Sequence, residues 1–530
     1  MITQSLYNQF HNTAIKYPKN EALRFENLLL NYKELDKKIL ECKNIIASLG
    51  IKKGDVISVS LPNCPLSIYL FYAINALGAI SYNIHPLTKA PLINKMMENT
   101  NSKILFSLSL NRKDLEENLN KDIKIILINP YYKVNFVKYL AVKKMSGKAN
   151  TAIPYKNLKK LKTSDFYHPI GKEDSVYLNT GGTNGDPKVV RLSNDSINYL
   201  ASQGYQLIQG PKENIKMLTA IPLFHGFGLG MGVHTPLSHG ASTVLMLKFN
   251  TKEAIHHIQK GYATVILGVP ALFNALLSKD SFYGPFLKKQ VISYIGGDNV
   301  PKSLIERWNK AMQDNGSEAR LYEGYGLTET VTCCTVNTRY NRSKDGSIGK
   351  PLPGIEIKIR NPETKEILKP NTPGEIIISG PTLMNGYLNC EKETNDVLFT
   401  LDNKVYLSTK DYGYLDEDGY LFFKQRMRRI VKVNGESLCP SDVENIVMKN
   451  SNIYELYCYG VKDEKRGHCF RLAVSKKDDS TITDAELEKQ IRDSISSTLP
   501  PSYMPDKIIF YKRLPHTPVG KIDTTKFEEN

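Results

Sequence analysis

Tyr177-Leu178-Asn179-Thr180-Gly181-Gly182-Thr183-Asn184-Gly185-Asp186-Pro187-Lys188-Val189-Val190-Arg191 is the stretch on which the reading of this chain turns. Three glycines interleave with Thr180, Thr183 and Asn184 and are closed by Pro187-Lys188. Such a loop can turn tightly and aim backbone N–H groups inward. Hydroxyls and one lysine add donors and charge, which suits phosphate. The apolar run 176–178 reads as a short strand, so the loop leaves the carboxyl end of a sheet, where nucleotides bind in open α/β folds. The same residues are also ordinary turn formers. A P-loop is excluded on spacing: no glycine immediately precedes Lys188, and Val189 stands where a metal-binding Ser or Thr is required.

The chain has 530 residues, enough for a large core and more than one domain. Its apolar content of 41% is that of a globular protein rather than a disordered one. Eight scattered cysteines form no C-x-x-C pair, and no signal peptide precedes them, so a reduced, cytoplasmic location is expected. The net charge of +16 suits an anionic partner such as nucleotide and CoA phosphates or a membrane surface. No nucleic-acid module is recognisable, so a nucleic-acid partner is not expected.

In chain order, residues 22–25 and 28–30 read as a hairpin, and 32–49 as an amphipathic helix closed by Gly50. Residues 56–61 are a buried strand, and Pro65 opens a helix in the first-turn position that proline favours. The run 66–80 is too short to span a bilayer and is interrupted by Asn75 and Gly78, so a core helix is expected. Between 131 and 149 aromatics, aliphatics and lysines mix, which fits either a solvated surface helix or a weak peripheral membrane contact. Two more β-rich runs, 265–267 and 291–295, are each followed by helical pattern. Thr483-Asp484-Ala485-Glu486 is a capping box, ahead of Leu487, Ile491, Ile495 and Leu499 at helical spacing.

A second motif, Glu323-Gly324-Tyr325-Gly326-Leu327-Thr328-Glu329, combines an aromatic face that can stack a purine, a hydroxyl for a phosphate and a carboxylate for Mg²⁺. Together with 180–188, it resembles the adenylate-forming superfamily of acyl-CoA synthetases, peptide-synthetase adenylation domains and luciferases. The form E-G-Y-G-L-T-E is similar to bacterial fatty acyl-CoA synthetases. Phe224-His225-Gly226, Gly297-Asp298, Asp411, Gln425-Arg426, Asn434-Gly435 and Pro518-Val519-Gly520-Lys521 follow in family order over nearly the whole chain.

The resemblance implies an α/β fold: a large N-terminal domain, 1–427, of two doubly wound sheets plus a small β-barrel, and a small mobile α+β domain, 428–530. It implies that Thr180, Gly181, Gly182, Thr183, Asn184, Gly185 and Lys188 cradle ATP phosphates. Gly297, Asp298, Glu323, Gly324 and Tyr325 would approach the adenine, Asp411 and Arg426 the ribose, and Gly435 the thiol path. Thr328 would bond the α-phosphate, Glu329 would hold Mg²⁺, and Lys521 would be the catalytic lysine. His225 would stand beside the acyl pocket, with Phe227, Met231 and Val233 as its wall. The implied reaction activates a carboxylic acid, a fatty acid first, to acyl-AMP with loss of pyrophosphate, then transfers it to CoA. A stand-alone ligase loading a carrier-protein phosphopantetheine is the alternative, and a non-catalytic binding protein a third reading. Departures from the family pattern are Lys410 for a glycine, Gln425 for a glycine, and Arg428 at the hinge.

Overall fold

The computed structural model describes residues 3–159, 167–169, 172–180, 187–208, 211–298, 300–339, 343–433, 436–463, 466–516 and 522–527. Two compact units are formed, one from 1–357 with 378–407 and the other from 358–377 with 408–530. The first holds two mixed sheets. One has seven strands, in which Ile153–Pro154, Lys124–Ile128, Ile104–Leu108, Val56–Ser60, Ile80–Asn83 and Asp174–Asn179 run parallel, and Val189–Ser193 closes the edge antiparallel. The other has nine strands with a parallel centre that includes Lys216–Thr219, Val265–Gly268, Ile292–Ile295 and Leu321–Tyr325. Parallel strands need crossover helices, and these cover the faces and turn the strand sequences into continuous apolar runs.

Local signals place the helices. Asn31 accepts from the Glu34 N–H and the Glu34 carboxylate accepts from the Asn31 N–H, both at 2.9 Å, so Tyr32–Ala47 starts on a closed capping box. The apolar run opened by Pro65 divides: Pro65–Ala76 is helix, and Ile80 begins the next strand. Asn75, expected as an interruption, is buried inside that helix. Its Oδ1 accepts from the Tyr7 N–H at 3.0 Å and its Nδ2 donates to Asn194 at 2.8 Å, so a buried amide is satisfied by two other helices. Under the nine-stranded sheet, Trp308 packs edge-on against Phe273 with ring centroids 4.8 Å apart.

A third, antiparallel sheet curls into a half-barrel from Glu356–Arg360, Gly374–Ser379, Leu398–Leu401, Lys404–Leu415 and Leu421–Arg426. Beyond it a small α/β layer is built from Ile453–Asp463, Gly467–Lys476 and Lys507–Tyr511, with helices Pro440–Val447 and Asp484–Ser496 packed on its apolar face. The Thr483 capping box forms, and Leu487, Ile491 and Ile495 are buried at the spacing expected. No helix among the described residues is long and apolar enough to cross a membrane.

Within the half-barrel, Lys410 explains why relatives were expected to carry glycine there. Its φ is +59°, in the left-handed region, where a Cβ costs about 1–2 kcal/mol. Its ammonium lies 3.8 Å from the buried Glu375 and is half exposed, so the pair is worth little. Burial would raise the Glu375 pKa, but the Ser408 hydroxyl and the Arg360 guanidinium hold it below the ordinary value, with Lys410 as the smallest of the contributions. Glycine also loses about 0.4–1 kcal/mol through the freedom of the unfolded chain, so the strain term wins. Lys410→Gly is expected to stabilise the protein by up to about 1 kcal/mol, read as a raised thermal midpoint; a lowered midpoint would mean that the ammonium matters more than the backbone.

Candidate active site

The signature loop springs from the antiparallel pair Asp174–Asn179 and Val189–Ser193. Its base is pinned twice: the Thr180 N–H donates to the Lys188 carbonyl at 2.9 Å, and the Lys188 N–H donates to Thr180 Oγ1 at 3.3 Å. Gly181, Gly182, Thr183, Asn184 and Gly185 lie outside the described residues, as do Gly435 and Lys521. What is described is the mouth that the loop must bridge.

Lys188 Nζ sits over the Tyr387 ring, 4.9 Å from its centroid, and the Tyr387 hydroxyl donates to Glu329 Oε1 at 2.8 Å. One tyrosine therefore couples the lysine of the first motif to the carboxylate of the second. The backbone reinforces the coupling. Met384 N–H donates to the Glu329 carbonyl at 2.8 Å, and Leu388 N–H to the Val189 carbonyl at 2.9 Å. Tyr387 was not singled out from the sequence, where Asn385-Gly386-Tyr387 has the composition of any turn. Its partners are 58 residues or more away along the chain, and no local pattern encodes that distance.

The second motif begins in the strand Leu321–Tyr325 and ends in a short 3₁₀ turn, Thr328–Thr330. Val331 then takes φ of +66°, rare for a β-branched residue. The reason lies across the gap: a Cβ added to Gly226 would fall 1.7 Å from the Val331 carbonyl oxygen. Backbone touches backbone there, so the His225 segment and the Thr328-Glu329 turn are held in fixed register. Gly326 is under the same constraint, with its missing Cβ 1.3 Å from the Thr332 carbonyl oxygen. Asn63, buried in the first unit, donates to the Ile221 carbonyl at 3.0 Å and accepts from the Leu223 N–H at 2.9 Å, fixing the approach to His225.

His225 is exposed, its ring 4.6 Å from Phe224, which in turn packs edge-on against His85. It precedes a π-helix, Phe227–His234; such wide turns are rare and collect at functional sites. Met231 and Val233 are fully packed, and Met231 fills the space that a side chain on Gly204 would occupy. Met231 thus packs on the helix Asn194–Leu207, and Val233 is wholly buried, where both were expected as acyl-pocket wall. Phe227 is half-buried and remains available as pocket wall. Gly297 and Asp298 are exposed at the carboxyl end of Ile292–Ile295, beside the end of Leu321–Tyr325 that carries Glu323, Gly324 and Tyr325.

Asp411 and Arg426 face each other in register on neighbouring strands, and the guanidinium Nε lies 2.9 Å from the fully buried carboxylate. The half-exposed arginine fixes the direction of that carboxylate.

Comparison with known proteins follows this geometry. A family model described as AMP-binding enzyme matches residues 10–388, and one described as AMP-binding enzyme C-terminal domain matches residues 442–521. The chain belongs to the AMP-binding enzyme family. It is 28% identical over 539 residues to a long-chain-fatty-acid–CoA ligase of Bacillus subtilis, covering 98% of this chain and 93% of that one. It is 26% identical to 4-coumarate-CoA ligase 1 of Narcissus pseudonarcissus, covering 94% and 88%. Among solved structures, ATP-bound MatB from Rhodopseudomonas palustris superposes with a TM-score of 0.84 at 20% identity over 99% and 98% of the two chains. The o-succinylbenzoate-CoA synthetase of Bacillus subtilis with its acyl-adenylate intermediate superposes at 0.78 and 22% identity, over 99% and 98%. The activity class is that of AMP-forming acid–CoA ligases, enzymes that adenylate a carboxylic acid.

In this AMP-binding enzyme burial pushes the pKa of Glu323, in the second motif, up from 4.5 to about 8. The folded state therefore holds the proton that the unfolded chain releases near 4.5. Stability from this source is fully present below that value and is lost as pH rises towards 8. Glu323→Gln, which is always neutral, is expected to melt with the parent at acidic pH and to gain on it steadily as pH rises through that window. Parallel melting curves at every pH would refute the buried, protonated carboxyl. Gly226→Ala is expected to cost about 1–3 kcal/mol by overpacking and to lower adenylation further by displacing the Thr328-Glu329 turn. An unaltered midpoint in thermal melts would show that the two segments are not held in contact.

Proposed function

We propose that the chain activates a fatty acid in two steps. A carboxylate oxygen attacks the α-phosphorus of ATP and forms acyl-AMP as the P–O bond to pyrophosphate breaks. The CoA sulfur then attacks the acyl carbon, AMP leaves with the electron pair of the C–O bond, and the thiol proton goes to solvent. The observation that supports this reading is the Lys188–Tyr387–Glu329 arrangement, because it sets a cation and a carboxylate at the mouth of one glycine-rich loop. Binding alone needs no such pairing.

In this reading residues 180–188 hold the β- and γ-phosphates through backbone N–H groups and Lys188, and Thr328 bonds the α-phosphate. Gly297, Asp298, Gly324 and Tyr325 accept the adenine, and Asp411 takes the two ribose hydroxyls with Arg426 as its support. Glu329 fits Mg²⁺ as a single carboxylate: its one side-chain partner among the described residues, the Tyr387 hydroxyl, occupies Oε1, and Mg²⁺ takes one or two protein carboxylates and completes its shell with phosphate and water. No cluster of three or more ligating side chains exists among the described residues, so the ion would arrive with the nucleotide. When bound it neutralises phosphate charge.

Lys521 supplies the remaining positive charge, between the carboxylate and the α-phosphate, where two anions must meet. Residues 428–530 act as the mobile part, pivoting at Arg428, and exchange Lys521 for the loop at Gly435 before the thiol step. The fatty-acid preference is supported by E-G-Y-G-L-T-E and by the Bacillus subtilis relative; a coumarate ligase at similar identity keeps aromatic acids in the test. CoA is taken as the acceptor thiol, with a carrier-protein phosphopantetheine as the alternative.

The deciding experiment separates the half-reactions. Lys521→Ala is expected to lose about a hundred-fold or more in pyrophosphate release from acid and ATP, since a charge made useful only in the transition state is gone. Thioester formation from supplied acyl adenylate and CoA should stay near the parent rate. Equal loss in both steps would remove Lys521 from its assigned role. A panel of fatty and aromatic acids, with CoA or a carrier protein as acceptor, fixes the substrate.

A further inference from the structure

Residues 123–164 contain ten lysines and no aspartate or glutamate. Within them, Phe136–Ser146 is a helix started by Asn135, whose side chain accepts from the Lys138 N–H. One side is anchored: Asn129 donates to the Tyr139 carbonyl at 2.9 Å, Ser146 donates to Ser109 Oγ at 3.1 Å, and Arg112 to the Ser146 carbonyl at 2.6 Å, while Val142 is buried. The opposite side carries Phe136, Val137, Leu140 and Met145, which are 73%, 75%, 44% and 75% exposed. Fourteen large apolar side chains are exposed among the described residues, and four of them stand on this one helix of 11 residues.

A soluble helix normally turns its apolar stripe inward. This one is apolar outward as well, with Lys143 and Lys144 set among the apolar side chains and Lys133 and Lys148 at its two ends. Lys138 is spent on Glu26, 2.6 Å away. Lys143, Lys144 and Lys148 form no ion pair among the described residues. Beside the helix opens a cavity of about 660 Å³, whose lining includes Tyr132, Tyr139, Lys143, Lys148 and Lys156.

We propose that this face docks the enzyme on an anionic lipid bilayer: Phe136, Val137, Leu140 and Met145 enter the acyl boundary, and the lysines meet anionic headgroups. Both terms are needed, since four apolar side chains or a few lysines alone bind membranes weakly and reversibly. The single sign of charge over 42 residues selects an anionic lipid surface over a protein partner, whose interface would offer mixed charges to a mixed rim. Docking holds whichever carboxylic acid is activated.

The test is sedimentation of the full chain with vesicles of phosphatidylcholine alone, or with about one third phosphatidylglycerol, at low and high salt. The parent is expected to pellet with the anionic vesicles only and to be released by salt. The combined variant Phe136→Ser, Val137→Ser, Met145→Ser and the combined variant Lys143→Glu, Lys144→Glu, Lys148→Glu should each bind about ten-fold more weakly or worse. Acid–CoA ligase turnover without vesicles should be unchanged, which also shows that both variants fold. Val137→Trp adds an exposed indole to the buried Trp308, and its emission should shift to the blue on anionic vesicles. Failure of the parent to pellet, equal pelleting on both lipids, or parent-like binding by the serine variant would overturn the proposal. So would self-association that the serine variant abolishes without any vesicle binding, because the face would then belong to a second copy.

Discussion

Contact between two stretches of backbone governs this molecule. Gly226 lies where any Cβ would strike the Val331 carbonyl, and Gly326 meets the Thr332 carbonyl in the same way. Peptide groups in contact leave no adjustable side chain between them, so the turn bearing Thr328 and Glu329 and the segment bearing His225 are placed relative to each other as rigidly as neighbouring strands. The positive φ of Val331 is the strain that this placement stores.

Onto that fixed pair the structure adds side-chain couplings that are easier to alter. Tyr387 links Lys188 and Glu329 through its ring and its hydroxyl, which sets the spacing between a cation and a carboxylate that would otherwise collapse into a direct ion pair or drift apart. The aromatic face holds the ammonium by a cation–π attraction, weaker than a direct ion pair would be. Asp411 is treated differently, fixed by Arg426 and buried completely.

The fold also shows where variation is tolerated. Lys410 occupies a left-handed position at the cost of about 1–2 kcal/mol, which a chain with cores under two large sheets can absorb. Asn75, which reads as a break in an apolar run, joins three helices by hydrogen bonds inside the core. The basic helix at Phe136–Ser146 is held by polar contacts from Asn129, Ser109, Arg112 and Glu26, and its outward face is free to change without disturbing the strands.

The sequence by itself determined the family, the α/β class and the order of the motifs, because each rests on residues close together in the chain. Thr483 with Glu486 makes a helix start, and apolar runs make buried parallel strands. Asp411 and Arg426 share an expected role in the sequence, and strand register sets them side by side. Only the tertiary structure decided that Tyr387 joins the two motifs, that Met231 packs against Gly204, and that Glu323 is pushed up to about 8 by burial. Each of these depends on what stands beyond the side chain rather than beside it in the chain. Burial and long-range contact come from packing, and a periodicity of two or of 3.6 residues carries no information about the partner on the far side.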